Sequence, residues 1–68
     1  MCLSKAFIEG TEGRRVLCDR VKTMSSENGK VILKDLFGDT WEVEGTVGEV
    51  NFTDNYIVMK NVKSVRSL

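Results

Sequence analysis

Two of the 68 residues are cysteines, at positions 2 and 18, and none is a histidine. Position 2 is chemically unlike any other, because its thiol lies within chelating reach of the α-amino group. With Met1 retained, the terminal amine, the Cys2 amide nitrogen and the Cys2 thiolate form two fused five-membered chelate rings. With Met1 removed, the amine and thiolate of Cys2 close one ring, and the Leu3 amide supplies the next donor. The opening stretch, MCLSKAFIE, has no proline to block either arrangement. Nitrogen and thiolate donors in a nearly planar array suit Ni(II) or Cu(II). Structural zinc instead wants a tetrahedral cage of three or four Cys or His ligands, which this chain cannot assemble alone. The positive amine also lowers the thiol pKa and favours the thiolate. One chain offers at most three such donors. A two-fold dimer that brought both N-termini together would offer two amines and two thiolates to one ion. Cys2 is therefore the candidate metal ligand, for Ni(II) or Cu(II).

Cys18 reads differently. It lies between Leu17 and Asp19 in a strand-like segment, and a free cysteine in such a place commonly behaves as a small core hydrophobe. If the first two strands form a hairpin about residues 11–12, paired positions sum to about 23 and Cys18 lies opposite Lys5. That is three residues from Cys2, roughly 10 Å at about 3.3 Å per residue, beyond the ~7 Å that a disulfide spans. Neither an intramolecular bridge nor a two-cysteine site within one subunit is expected.

Other chemistry is largely excluded. Without histidine there is no Ser-His or Cys-His pair, and the commonest general base is missing, so the chain is read as a non-enzyme. EGTEGR and ENGK have glycines but not the spacing of a phosphate-binding loop. Glu42, Glu44 and Glu49 are read as a solvated strand face. Arg14, Arg15, Arg20 and Lys22 form a basic segment that, with Tyr56 as an exposed aromatic, could contact RNA. Ten basic and ten acidic residues cancel, however, which removes the basic excess expected of a nucleic-acid binder. No run approaches the roughly 18 apolar residues of a membrane span, and the N-terminus lacks a signal-peptide core. The expected compartment is the reducing cytosol, where both thiols stay free.

The elements that would carry Cys2 are short strands of a single small domain covering residues 1–68. Turn signals recur as GTEG at 10–13, SSENGK at 25–30, FGD at 37–39, EGTVG at 44–48 and TDN at 53–55. The segments between them are too short for helices, so the chain reads as an all-β barrel or sandwich. Asn28-Gly29 is the sharpest of these signals, matching a type I′ hairpin turn. Trp41 and Val43 alternate with Thr40, Glu42 and Glu44, and Val50 and Phe52 with Glu49 and Asn51, giving each segment one buried face. Ile57 and Met59 oppose Tyr56 and Val58, and Val31 and Leu33 oppose Ile32, so those strands are apolar on both sides. A small chain has only one core, so the second face is read as a subunit interface. Strands are predicted at about 2–9, 14–24, 30–36, 40–45, 48–53 and 55–60, with one helical turn where Val62 and Val65 stand three apart. The fold class is thus all-β: a small antiparallel barrel or sandwich, SH3-like or similar, of about six short strands.

The MC start on so short a chain, with LFGDTWEVEG and VNFTDNYIVM further on, resembles the CooT family of small nickel-binding accessory proteins for carbon monoxide dehydrogenase. The resemblance implies a homodimeric cytosolic β protein whose second-position cysteine, here Cys2, binds Ni(II) as transient cargo. It further implies delivery of that nickel during maturation of a nickel enzyme, whose apoprotein or other maturation factors would be the partners. Cys18 has no place in the motif. A small-barrel RNA-binding or scaffolding module is the alternative, which the neutral charge opposes.

Overall fold

The computed structural model describes residues 3–68. Alternation carries the first strand, β1 (Ser4–Gly10): Ala6 and Ile8 are buried while Lys5 and Phe7 face outward. A two-residue turn at Thr11 and Glu12 leads into β2 (Gly13–Glu27), with Gly10 opposite Gly13. Asn28 and Gly29, at φ 51° and 76°, make the tight turn into β3 (Lys30–Asp35), as their types foretold. A loop through Leu36–Asp39 leads to β4 (Thr40–Asn51), and a last turn leads to β5 (Tyr56–Ser67).

The strands close into a barrel in the order β1-β2-β3-β4-β5, β5 returning to β1. The β1–β5 pairing, Lys5–Ile8 against Tyr56–Met59, is parallel, and the other four are antiparallel. β2 serves two neighbours: Val21 lies opposite Ser4 of β1 and opposite Asp35 of β3. Arg20, in the left-handed region at φ 56°, marks the bend between these two halves. Ala6, Cys18, Val21, Val31, Leu33, Val43, Ile57 and Met59 fill the interior, with Leu17, Trp41, Val62 and Val65 packed against them.

There are five strands rather than six, because residues 40–45 and 48–53 are not separated by a turn. Gly45 and Gly48 lie inside β4, where their task is close approach. A Cβ on Gly45 would stand 3.0 Å from the Lys60 carbonyl oxygen, and one on Gly48 would run into the Lys60 side chain. Val62 and Val65 belong to β5, not to a helical turn. Asn61, at φ 53°, opens a bulge in which residues 61–63 oppose Gly45 alone, which resets the alternation and turns both valines toward the core. Phe52 is a further correction. β4 ends at Asn51, so the turn takes over before Phe52 can share a face with Val50, and its ring is 86% exposed.

Val58, on the outer face of β5, is fully buried within the single chain. Its neighbours in register are Phe7 and Glu49. Across them run the Phe7–Tyr56 edge-to-face contact, the Tyr56 hydroxyl donating to Glu49, and Arg14 bridging Glu49 and Glu9, with Lys60 on Glu9's other oxygen. Exposed ion pairs are individually weak; here their stems and rings cover an apolar side chain.

Two predictions follow from this packing. Asp35 is buried, and one carboxylate oxygen accepts the amides of Phe37 and Asp39 at 2.9 Å each, holding the β3–β4 loop. Asp35→Ala strands both amides and lowers unfolding free energy by about 1–3 kcal/mol in urea titration, while Asp35→Asn, which keeps an acceptor, loses less. The second concerns acid. Arg14, followed by Lys60, holds the Glu9 carboxyl below its ordinary 4.5. The ionised form is favoured by folding, so this stabilisation is full above 4.5 and is lost as pH falls through the depressed value. Glu9→Gln flattens that part of the acid limb in pH-dependent denaturation.

Candidate functional site

The candidate metal ligand, Cys2, lies outside the described residues; what is on view is its mount. Ser4 begins β1, and the Lys5 amide donates to the Asn55 carbonyl at 3.0 Å, tying the strand's start to the β4–β5 turn. The first strand runs between two grooves. Leu3, Lys5 and Phe7 line a polar one of about 420 Å3 together with Asp19, Arg20, Asp54, Asn55 and Tyr56. Ser4 lines the other, an apolar groove of about 230 Å3 that includes Val21, Met24, Val50, Phe52 and Ile57. Period-two alternation along β1 sends odd residues to one groove and the even residue Ser4 to the other. The residues that follow Cys2 are thus held at the rim of a closed barrel. Lys5 and Asp19 pair across the polar groove at 3.8 Å.

Cys18 is a free, buried thiol in the core. It stands opposite Ala6, not Lys5, because register irregularities on either side of Ala6 shift the expected pairing by one. Burial, then Asp35 and Asp19, push its thiol up to about 11. Such a group is protonated at neutral pH and makes a poor nucleophile or metal ligand. The expected absence of a bridge to Cys2 lies outside the described residues.

The charged groups singled out in the sequence are dispersed by the fold. Glu42 pairs with Lys30 at 3.4 Å, Glu44 accepts from the Ser64 hydroxyl, and Glu49 belongs to the cover over Val58. Among the described residues, no group of three His, Cys, Asp or Glu side chains is placed to hold a metal ion. The basic segment does not form one stripe either. Arg14 is bound to Glu9 and Glu49, Arg20 stacks over the Phe37 ring at 5.4 Å, and Tyr56 is half-buried with its hydroxyl engaged. Arg15 and Lys22 remain exposed. No helix in the described residues is long and apolar enough to cross a membrane.

Sequence reasoning missed the exposed apolar surface formed by Met24, Val50 and Phe52. The signal was present in TDN, the turn that begins one residue after Phe52.

The Cys18 environment sets a prediction. Alkylation of Cys18 at pH 8 is slow in the native protein and fast in denaturant, read most cleanly by thiol titration of a Cys2→Ser variant. Because the folded thiol holds its proton to about 11 against an ordinary 9.0, its stabilisation is full below 9.0 and is lost as pH rises toward 11. Cys18→Ala removes that alkaline loss.

Comparison with known proteins gives these features a family. No curated protein matches the chain. A crystal structure from Carboxydothermus hydrogenoformans, of a candidate CooT, superposes with a TM-score of 0.80 over 87% of this chain and 95% of that one at 19% sequence identity, a likeness of fold. The family model described as "CO dehydrogenase accessory protein CooT" matches residues 1–60. A match over that share of the sequence decides the matter: the chain belongs to the CooT family of CO dehydrogenase accessory proteins.

Proposed function

We propose that this protein is a Ni(II)-binding metallochaperone that supplies nickel for maturation of a nickel enzyme such as carbon monoxide dehydrogenase. It holds the ion through the Cys2 thiolate and adjacent backbone nitrogens. The observation that carries the reading is the division of labour between the two cysteines. Cys18 is locked in the core with a thiol that stays protonated, which leaves Cys2, beside the chain's amine, as the sulfur able to ionise at neutral pH. The accessory role of the family supplies the context, and the nitrogen–sulfur donor set suits a planar ion. The cargo is bound transiently, and a reducing cytosol keeps the thiol available. Two chains form a homodimer around one ion, since one terminus leaves a square-planar ion a donor short. The apoenzyme, or another maturation factor, receives the metal.

The RNA-binding alternative loses two of its contact residues to the fold, because Arg14 and Tyr56 are engaged in the cover over Val58.

Titration with Ni(II) tests the proposal. It is expected to produce a thiolate-to-nickel charge-transfer band that saturates at one ion per two chains. Cys2→Ser abolishes the band and Cys18→Ala leaves it. Alanine is the right control, since a buried serine hydroxyl without a partner costs about 1–3 kcal/mol on its own. Amine and thiol must both lose protons, so affinity falls steeply on acidification. Nickel binding by Cys2→Ser as tight as by the unaltered protein would overturn the assignment.

A further inference from the structure

The loop between β3 and β4 presents two large apolar side chains to water: Leu36 is 52% and Phe37 67% exposed. Scattered apolar residues on a loose loop would mean little. This loop is fastened on both sides. The buried Asp35 carboxylate accepts the Phe37 and Asp39 amides, and the Asp35 amide donates to the Asp39 carbonyl at 3.0 Å. Across from it, the Leu36 amide donates to the Arg20 carbonyl at 2.9 Å. Arg20 takes a positive φ of 56°, a strained choice for a non-glycine residue, and from there its guanidinium lies over the Phe37 ring. Such strain collects where a protein holds a group ready for a ligand or partner. Among the described residues, that guanidinium has no ion-pair partner.

We propose that Leu36, Phe37 and Arg20 form the docking surface for the client, the carbon monoxide dehydrogenase apoprotein. A segment of that partner sets an apolar side chain against Phe37 and a carboxylate on Arg20. The inference rests on the delivery role of the proposed function and names where delivery is made. Aromatic and arginine side chains are the groups most enriched where proteins meet. Because the loop is already fastened, it loses little freedom on binding. Position agrees. Arg20 also lines the polar groove along β1, which begins at Leu3, next in sequence to Cys2. A partner seated on Phe37 and Arg20 therefore lies beside the mount of the candidate metal ligand. Charge selects a protein over nucleic acid. Asp19 and Asp54 line the same groove, and Asp39 is exposed on the loop. A phosphate backbone would be repelled by those carboxylates. A protein segment can match the mixed charges one by one, with a carboxylate toward Arg20 and a base toward Asp54.

Surface plasmon resonance against immobilised carbon monoxide dehydrogenase apoprotein, with the full chain in solution, tests the surface. Phe37→Ser is expected to raise the dissociation constant roughly thirtyfold or more. Arg20→Asn raises it about tenfold, asparagine being the choice because it accepts a positive φ. Both variants are expected to keep the circular dichroism, the nickel band and the sedimentation behaviour of the unaltered chain. Apoprotein binding that neither substitution weakens overturns this surface while nickel binding stands. So does an unaltered chain that takes up Ni(II) through Cys2 and does not bind the apoprotein. Docking that both variants lose, in a protein that binds no nickel, keeps this surface and overturns the metallochaperone. Altered sedimentation of Phe37→Ser would assign the patch to contact between copies. Binding of single-stranded oligouridine by the unaltered chain, lost in Phe37→Ser, would assign it to nucleic acid. Either result overturns the client as occupant.

Discussion

The parallel pairing of β1 with β5 is the constraint on which the rest depends. Parallel neighbours cannot be joined by a tight turn, and here β2, β3 and β4 together form the connection, wrapping the sheet until its first and last strands meet. Closure joins the two ends of the sheet over Lys5–Ile8 and Tyr56–Met59. It also draws Ala6, Leu33, Val43 and Met59 into one interior at zero exposure, a dense centre for so few residues. And it fastens the start of β1 on both sides, to β2 through Ser4 and to β5 through Lys5.

Charge is used to finish this packing rather than to create a field. Part of the balanced charge is arranged as specific pairs, of which Arg14 with Glu9 and Glu49 is the most connected. Those long side chains lie over the outer face of β5, where an apolar Val58 would otherwise meet water. The reading that strands apolar on both faces need a second subunit was therefore too broad. The chain covers one outer face itself and leaves apolar side chains exposed elsewhere, at Met24, Val50 and Phe52. The same pairs make acid a natural destabiliser, while deprotonation of Cys18 does so at the alkaline end.

The functional reading has a corresponding simplicity. The described barrel has no histidine and no group of three His, Cys, Asp or Glu side chains placed to hold a metal ion. Its one cysteine is protonated and enclosed. Membership of the family of CO dehydrogenase accessory proteins fits a protein whose role is exercised on another protein's catalysis.

What the sequence by itself determined is whatever depends on neighbours in the chain. Asn28-Gly29 makes its turn because two adjacent residues accept positive φ. The first hairpin forms about residues 11–12, and Trp41 and Val43 belong to one strand. The cysteine at position 2 is likewise read straight from the chain. Tertiary structure alone decided the matters that turn on distant partners. Gly45 and Gly48 resemble a turn locally, yet they exist to admit Lys60 and Val62 of another strand. Val62 and Val65 resemble a helix because a bulge at Asn61, forced by pairing with β4, restarts the alternation. Cys18 faces Ala6 because bulges within the sheet, invisible to a constant hairpin sum, displace the register. The physical reason is common to all three. Backbone preference is set within a few residues, whereas register and close approach are set by the strand that packs alongside, whose identity emerges only when the barrel closes.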